Sequence, residues 1–586
     1  MFEQEQNEIQ TQIEYILNNQ GISKQPLKWS WIPFSGHWGI STSFFSTASF
    51  EARKQKGINV QQHATDIADE IASTIKLPSA FEKVEAVNGY LNLYYDSAIF
   101  AKRVIDEILD EGDRFGRGDS TGKKIMVEYS QPNTHKAFHV GHLRNMVLGS
   151  AICEILDFSG NDVIRANYIG DIGLHVIKWL WNYSNFHKGE VPPLEGKTEW
   201  MGGIYAEAVN KIDDNLEYEA QVREIFKLWD EKDPKIVALW KRTRQWSMEA
   251  FNEVYELLGI KFDKVYFESE VEESGKEIVK QLIDNGIAQD ERPEGAVIVD
   301  LDAILGTEEE YRVLVILRSD GTSLYPTKDL PLAIMKFAEF DLDRSIYVID
   351  VRQSLYMKQI FKILDLMGNK WAKDCYHLAY EIVNLPGNVT IASREGTVVL
   401  LEDLISEAEK RAFKIVEDKN AELDEKMKKD IAQKVAIGAI KYSLLSRDNT
   451  KVITFDWEAA MDVNGQAAPY IQYAAVRANS ILRRVQFSLP ESKEIRYKLS
   501  KDEVELIDLL GRFSREVQRA AKDLRPILIA NYSYEVARAF SNFYNKCPVL
   551  SADEKTKDFR LRLVAGTRQV IINSLNLLGI KVPEVM

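Results

Sequence analysis

Apolar residues recur at helical spacing through residues 60–75, and residues 84–95 then alternate between apolar and polar around the turn pair Asn88-Gly89. These patterns predict an amphipathic helix followed by a hairpin, so residues 1–115 read as a small α+β domain. Residues 112–124 (GDRFGRGDSTGKK) carry little apolar content, the composition of a linker. Beyond it a strand is predicted at 124–130 and a loop at 131–139. A helix from about Gly141 follows, with Leu143, Met146, Val147, Ile152, Ile155 and Leu156 on its apolar positions and Gly160 closing it. The next strand falls at 163–168, and strand, helix, strand in this order begins a parallel sheet. Residues 180–257 are predicted to be mostly helical, 312–325 a hairpin around Asp320-Gly321, and 345–350 a further strand. From about Ile431 onward, three- and four-residue spacing of Leu, Ile, Ala and Tyr predicts a helical bundle. The expected fold is a multidomain α/β protein: a small α+β domain (1–115), a parallel-sheet domain with a helical insertion (116–455) and an all-α domain (456–586).

At 586 residues and 45% hydrophobic content, several cores are required. No run approaches the roughly 18 to 20 apolar residues of a bilayer span, and residues 1–10 lack the apolar segment of a signal peptide, so a cytoplasmic protein with no membrane partner is expected. The three cysteines, Cys153, Cys375 and Cys547, are far apart and form no C-x-x-C pair, which argues against a disulfide framework or a cysteine zinc site. No protein-held metal is expected. The net charge of −15 excludes a protein that coats nucleic acid indiscriminately, yet residues 451–586 carry 21 Lys+Arg against 16 Asp+Glu. A mildly basic tail on an acidic body suits one polyanion met in a defined orientation, although proteins that bind none share it.

The sharpest local signal is His139-Val140-Gly141-His142, placed between a predicted strand and the start of a helix. The first N–H groups of a helix are unpaired donors at the positive end of its dipole, where a phosphate is stabilised. Two imidazoles add donors, and Gly141 lets a flat base approach the backbone. Equally, the two histidines could serve only as helix caps. Residues 189–198 (GEVPPLEGKT) are not a P-loop, because six residues rather than four separate the glycines.

The H-x-G-H after a strand resembles the "HIGH" signature of class I aminoacyl-tRNA synthetases. Its surroundings are similar to the arginyl family: VEYSQPNTHKAFHVGHLRN (127–145), DVIRANYIGDIG (162–173), RSDGTSLYPTKDL (318–330), YVIDVRQ (347–353), GQAAPYIQYAAVRANSILRR (465–484) and NLLGIKVPEVM (576–586). The resemblance implies a Rossmann-like catalytic domain that forms arginyl-adenylate from ATP and L-arginine and passes the arginine to tRNA(Arg), with magnesium accompanying the nucleotide. It implies ATP contacts from His139, Gly141 and His142. It places Tyr325 and Asp329 on the substrate guanidinium with Glu128 in the same pocket, and Asn133 and Gln353 on the amino and carboxylate end. Read alone, Asp329 could be a helix cap and Tyr325 a core strand residue.

The mobile "KMSKS" loop of class I enzymes corresponds here to Val389-Thr390-Ile391-Ala392-Ser393-Arg394-Glu395-Gly396, with Glu395 near an expected lysine. Ser393 and Arg394 are the ATP-facing candidates of this stretch. Arginyl enzymes with this defect carry a lysine just before the "HIGH" box, here Lys136, which by itself could be a solvated loop charge. Tyr356 stands where the family more often has histidine. In the C-terminal helices Tyr470, Tyr473, Arg477, Arg483 and Arg484 combine aromatic and basic groups as a surface for splayed RNA would, with core packing the alternative for a tyrosine. The resemblance makes those helices the anticodon-binding domain and the N-terminal domain a contact for the tRNA elbow; a monomer is expected. Other class I synthetases, small H-x-G-H nucleotidyltransferases and non-catalytic tRNA-binding relatives fit less well. They would need, respectively, zinc ligands, no helical tail, or damaged site residues.

Overall fold

The centre of the molecule is a five-stranded parallel sheet, seen in a computed structural model that describes residues 2–213, 215–306, 309–385, 389–390 and 400–586. Its strands are β1 (Lys124–Glu128), β2 (Asp162–Ile169), β3 (Lys264–Phe267), β4 (Arg344–Asp350) and β5 (Cys375–Tyr380). They lie in the order β5-β4-β1-β2-β3, all parallel. The chain moves outward from β1 to β3 and returns on the other side of β1, which creates a switch point and a crevice at the carboxyl ends of β1 and β4. Met126, Val127, Ile346 and Val348 are fully buried, as central strands covered on both faces must be.

Four helices shape this crevice: α1 (Val140–Phe158) after β1, α2 (Glu268–Asp284) after β3, α3 (Tyr325–Phe340) before β4 and α4 (Ser354–Leu366) after it. Between β2 and β3 the helices Leu174–Phe186, Lys197–Asp213, Leu216–Asp230 and Pro234–Leu258 form the expected helical insertion, with its own core around Trp179 and Trp181. The N-terminal residues build a four-stranded antiparallel sheet with helices, including Phe81–Val87 and Tyr90–Tyr95 around Asn88-Gly89. Helices dominate from Leu401–Lys419 to Glu554–Leu577. Among the described residues no helix is long and apolar enough to cross a membrane.

Two local expectations change. The hairpin at 312–325 is only partly formed: Val313–Leu317 pairs antiparallel with Val297–Asp300, a single Leu317–Ser323 bridge spans the Asp320-Gly321 turn, and Tyr325 opens α3. The glycine-rich 112–124 stretch is pinned rather than free. The Gly118 N–H donates to Phe158 O (2.9 Å) and that of Thr121 to Gly160 O (2.8 Å), while Gly116 lies where an added Cβ would sit 2.5 Å from the Phe513 ring. Glycine here permits close approach between the N-terminal and C-terminal parts.

Candidate active site

The loop from β1 to α1 brings the H-x-G-H turn to the crevice. His139 is the N-cap of α1; its Nδ1 accepts the Gly141 N–H (3.1 Å), and His142 Nδ1 accepts the His139 N–H (3.2 Å). The capping alternative is therefore realised, and among the described residues the other nitrogen of each ring has no hydrogen-bond partner. Burial, then the Lys136 charge, lowers the His139 pKa to about 4; burial, then His139 and Lys136, holds His142 well below the usual range. A neutral imidazole whose Nδ1 accepts carries its proton on Nε2, so each ring offers an N–H donor away from the helix. His139, Gly141 and His142 line a cavity of about 270 Å³ with Asp350, Arg352 and Gln353 from the end of β4.

Lys136 is half-buried, its Nζ 5.1 Å from the centroid of the Tyr205 ring, and among the described residues no carboxylate pairs with it. It shares a smaller cavity of about 220 Å³ with His139 and His142. Ser393, Arg394 and Glu395 lie outside the described residues.

A second cavity, about 430 Å³, gathers Glu128, Asn133, Tyr325, Asp329 and Gln353, the five residues expected around arginine. Gln131, Ile349 and Gln353 line both this cavity and the 270 Å³ one, so the two adjoin. Three carboxylates face two lysines here. Glu128 is engaged by Lys336 and by the Gln131 side chain (2.9 Å), and Glu268 by Lys328 (3.0 Å). Asp329 accepts only the Tyr356 hydroxyl and, among the described residues, has no cationic partner. Burial first, then the neighbouring Glu128 and Glu268, raises its pKa to about 7 despite that hydrogen bond. It sits in the second turn of α3, beyond capping reach, and Tyr325 is 67% exposed at the helix start rather than in a core strand.

Sequence reasoning missed several members. Glu268 is 7% exposed, although the run Glu268-Ser269-Glu270-Val271-Glu272-Glu273 reads as a solvated helix face. The Tyr168 and Tyr347 hydroxyls line the acidic cavity and, among the described residues, have no hydrogen-bond partner. Asn145 joins loop to sheet: its Oδ1 accepts the Ser130 N–H (2.6 Å) and its Nδ2 donates to Val348 O (2.8 Å). In the C-terminal helices Tyr473 lies between Lys419 and Arg477, each 4.8 Å from its ring centroid, and Arg484 is exposed. The Tyr470 hydroxyl donates to Ser541 (3.2 Å), so that side chain is partly a packing residue.

The class follows from a match that covers this sheet: residues 104–457 fit the family model described as tRNA synthetases class I (R), catalytic domain, and residues 471–586 fit the DALR anticodon binding domain. An arginine–tRNA ligase of Clostridium perfringens is 36% identical over 525 residues, 89% of this chain and 90% of that relative. One from Clostridium botulinum strain 657 is 37% identical over 524 residues, again 89% and 90%. The arginyl-tRNA synthetase structure of Thermus thermophilus superposes with a TM-score of 0.74 at 26% identity, covering 99% of this chain and 100% of that one. That of Plasmodium falciparum, at 19% identity and a TM-score of 0.73 over 99% of each chain, shares the fold. The chain belongs to the arginyl-tRNA synthetases, and its reaction is the ATP-dependent joining of arginine to tRNA(Arg).

Proposed function

We propose that the two adjoining cavities divide the first half-reaction between them, the H-x-G-H side holding ATP and the acidic side holding arginine. The observation that carries this reading is Asp329, the carboxylate that, among the described residues, has no ion-pair partner in a cavity whose other two acids are already paired. Its carboxylate and the Tyr325 hydroxyl accept from the guanidinium, while Asn133 and Gln353 hold the amino and carboxylate end. The arginine carboxylate then attacks the α-phosphate, pyrophosphate leaves, and the terminal ribose hydroxyl of tRNA displaces AMP from the adenylate. His139 and His142 donate Nε2–H bonds to the phosphates, Gly141 meets the adenine, Lys136 stabilises the departing pyrophosphate, and Ser393 and Arg394 are further ATP contacts.

Magnesium accompanies the ATP. The reading assigns residues 1–115 to the tRNA elbow, 116–455 to catalysis and 456–586, with Tyr470, Tyr473, Arg477 and Arg484, to the anticodon, in a cytoplasmic monomer. The test is Lys136→Ala: adenylate formation with saturating tRNA should slow by about 10²-fold with little change in arginine binding. A near-normal pre-steady-state rate would remove Lys136 from the mechanism.

A further inference from the structure

The loop that carries Lys136 is held in a backbone shape it would not adopt alone. Ser130, Gln131 and His135 are all non-glycine residues in the left-handed region, with φ of 78°, 47° and 64°. Such residues persist only where their surroundings over-determine them. At His135 those surroundings are hydroxyls. The ring is fully buried; its Nδ1 lies 2.9 Å from Thr134 Oγ1, its Nε2 lies 2.8 Å from Thr243 Oγ1, and its backbone N–H donates to Ser247 Oγ (3.0 Å). Thr243 and Ser247 both belong to the insertion helix Pro234–Leu258.

Each of the two threonine hydroxyls also has a carbonyl acceptor, Gly170 O for Thr134 and Trp240 O for Thr243 (3.2 Å each), so the ring bridges two hydroxyls that are themselves tied to the backbone. The ring thus reads one fixed arrangement of helix, loop and the end of β2, and Asn133 is bridged to Gly170 in the same place. Lys136 is the next residue, and among the described residues no hydrogen bond or ion pair directs it. Apart from the Tyr205 ring beside its Nζ, its aim is set by the backbone before it.

We propose that His135 is a positioning residue for adenylate formation, acting through Lys136 by locking the loop to Thr243 of the insertion helix. This rests on the role given to Lys136 above. Two variants cut the link from opposite ends: His135→Asn, which tolerates the left-handed backbone but is too short to reach the helix, and Thr243→Val, which keeps volume and removes the hydroxyl. Both should lower kcat for adenylate formation by roughly 10- to 100-fold, as small misplacements of a reacting group do, with KM for ATP and arginine little changed. Rates are measured per titrated active site, so unfolded protein does not count. In a Lys136→Ala background the same substitutions should have almost no further effect. If Lys136→Ala is slow but His135→Asn and Thr243→Val match the parent rate, or if their losses multiply with that of Lys136→Ala, the proposal is overturned. A Lys136→Ala enzyme at the normal rate overturns the reading of Lys136 and this one with it.

Discussion

Asp329 is half-buried in a cavity that already contains two lysine–carboxylate pairs, and its pKa of about 7 compares with an ordinary value of 3.8. The sign of the consequence follows directly. In the free protein the neutral carboxyl favours the fold fully below 3.8, and that contribution is lost as pH rises through about 7. An incoming guanidinium favours the charged form, so arginine binding should release a proton, and KM for arginine should fall as pH rises from 6 toward 7 and then level. Asp329→Asn removes the titrating group. It should raise KM for arginine by about 10- to 100-fold, as loss of a charge-assisted bond worth about 1.5 to 3 kcal/mol does, and flatten the pH dependence. Normal arginine kinetics with a lowered melting temperature would make Asp329 a structural residue. The position was legible by its resemblance to the family motif; the vacancy in its charge partners was not. Glu128 ends β1, Glu268 opens α2 and both Lys328 and Lys336 lie on α3, so only the fold decides which acid each lysine takes.

At the scale of elements, α2 and α3 meet at a glycine. Pro331 has no N–H to give Thr327 O within α3, and Gly275 of α2 fills the space beside that oxygen, where an added Cβ would sit only 2.0 Å away. Gly275→Ala must therefore push apart the two helices that carry Glu268 and Asp329. A stability loss of about 1 to 3 kcal/mol is expected, together with a raised arginine KM and an unchanged ATP KM. Unfolding midpoints and steady-state kinetics read both, and a variant of parental stability would show that the contact opens freely. Periodicity alone found β1, α1, β2 and β4 because each is bounded by its own turn residues. It misplaced the partner of Val313–Leu317, since an apolar run records burial without naming the strand opposite; that strand, Val297–Asp300, lies upstream, before the short helix Leu301–Leu305.

Across the whole molecule, one helix links the reaction centre to the C-terminal domain. Pro234–Leu258 has 25 residues and spans about 37 Å. Near its middle, Thr243 and Ser247 hold His135; at its far end, the buried Lys441 donates to Leu258 O (2.6 Å) and also to Gly579 O (2.6 Å), just past the last helix of the chain. Neither the helix contacts nor Lys441 could be read from the sequence, where Lys441 is one lysine among many in a helical pattern. The arrangement ties the part of the chain matching the DALR anticodon binding domain to the loop that carries Lys136. Under the proposed function, this helix is the route by which tRNA held at that domain acts on the nucleotide site. Glu395 in the signature stretch brings no positive charge to departing pyrophosphate, so under the role proposed for Lys136 the rate depends on how well that lysine is aimed. Pyrophosphate exchange with ATP and arginine alone should accordingly be weak, and tRNA(Arg) should raise it by about tenfold or more, a coupling of about 1.4 kcal/mol. Lys441→Met, which breaks both carbonyl bonds, should shrink that stimulation while leaving arginine KM as it was. Exchange at full rate without tRNA would show the loop to be set by the catalytic domain by itself, and undiminished stimulation in Lys441→Met would place the route elsewhere.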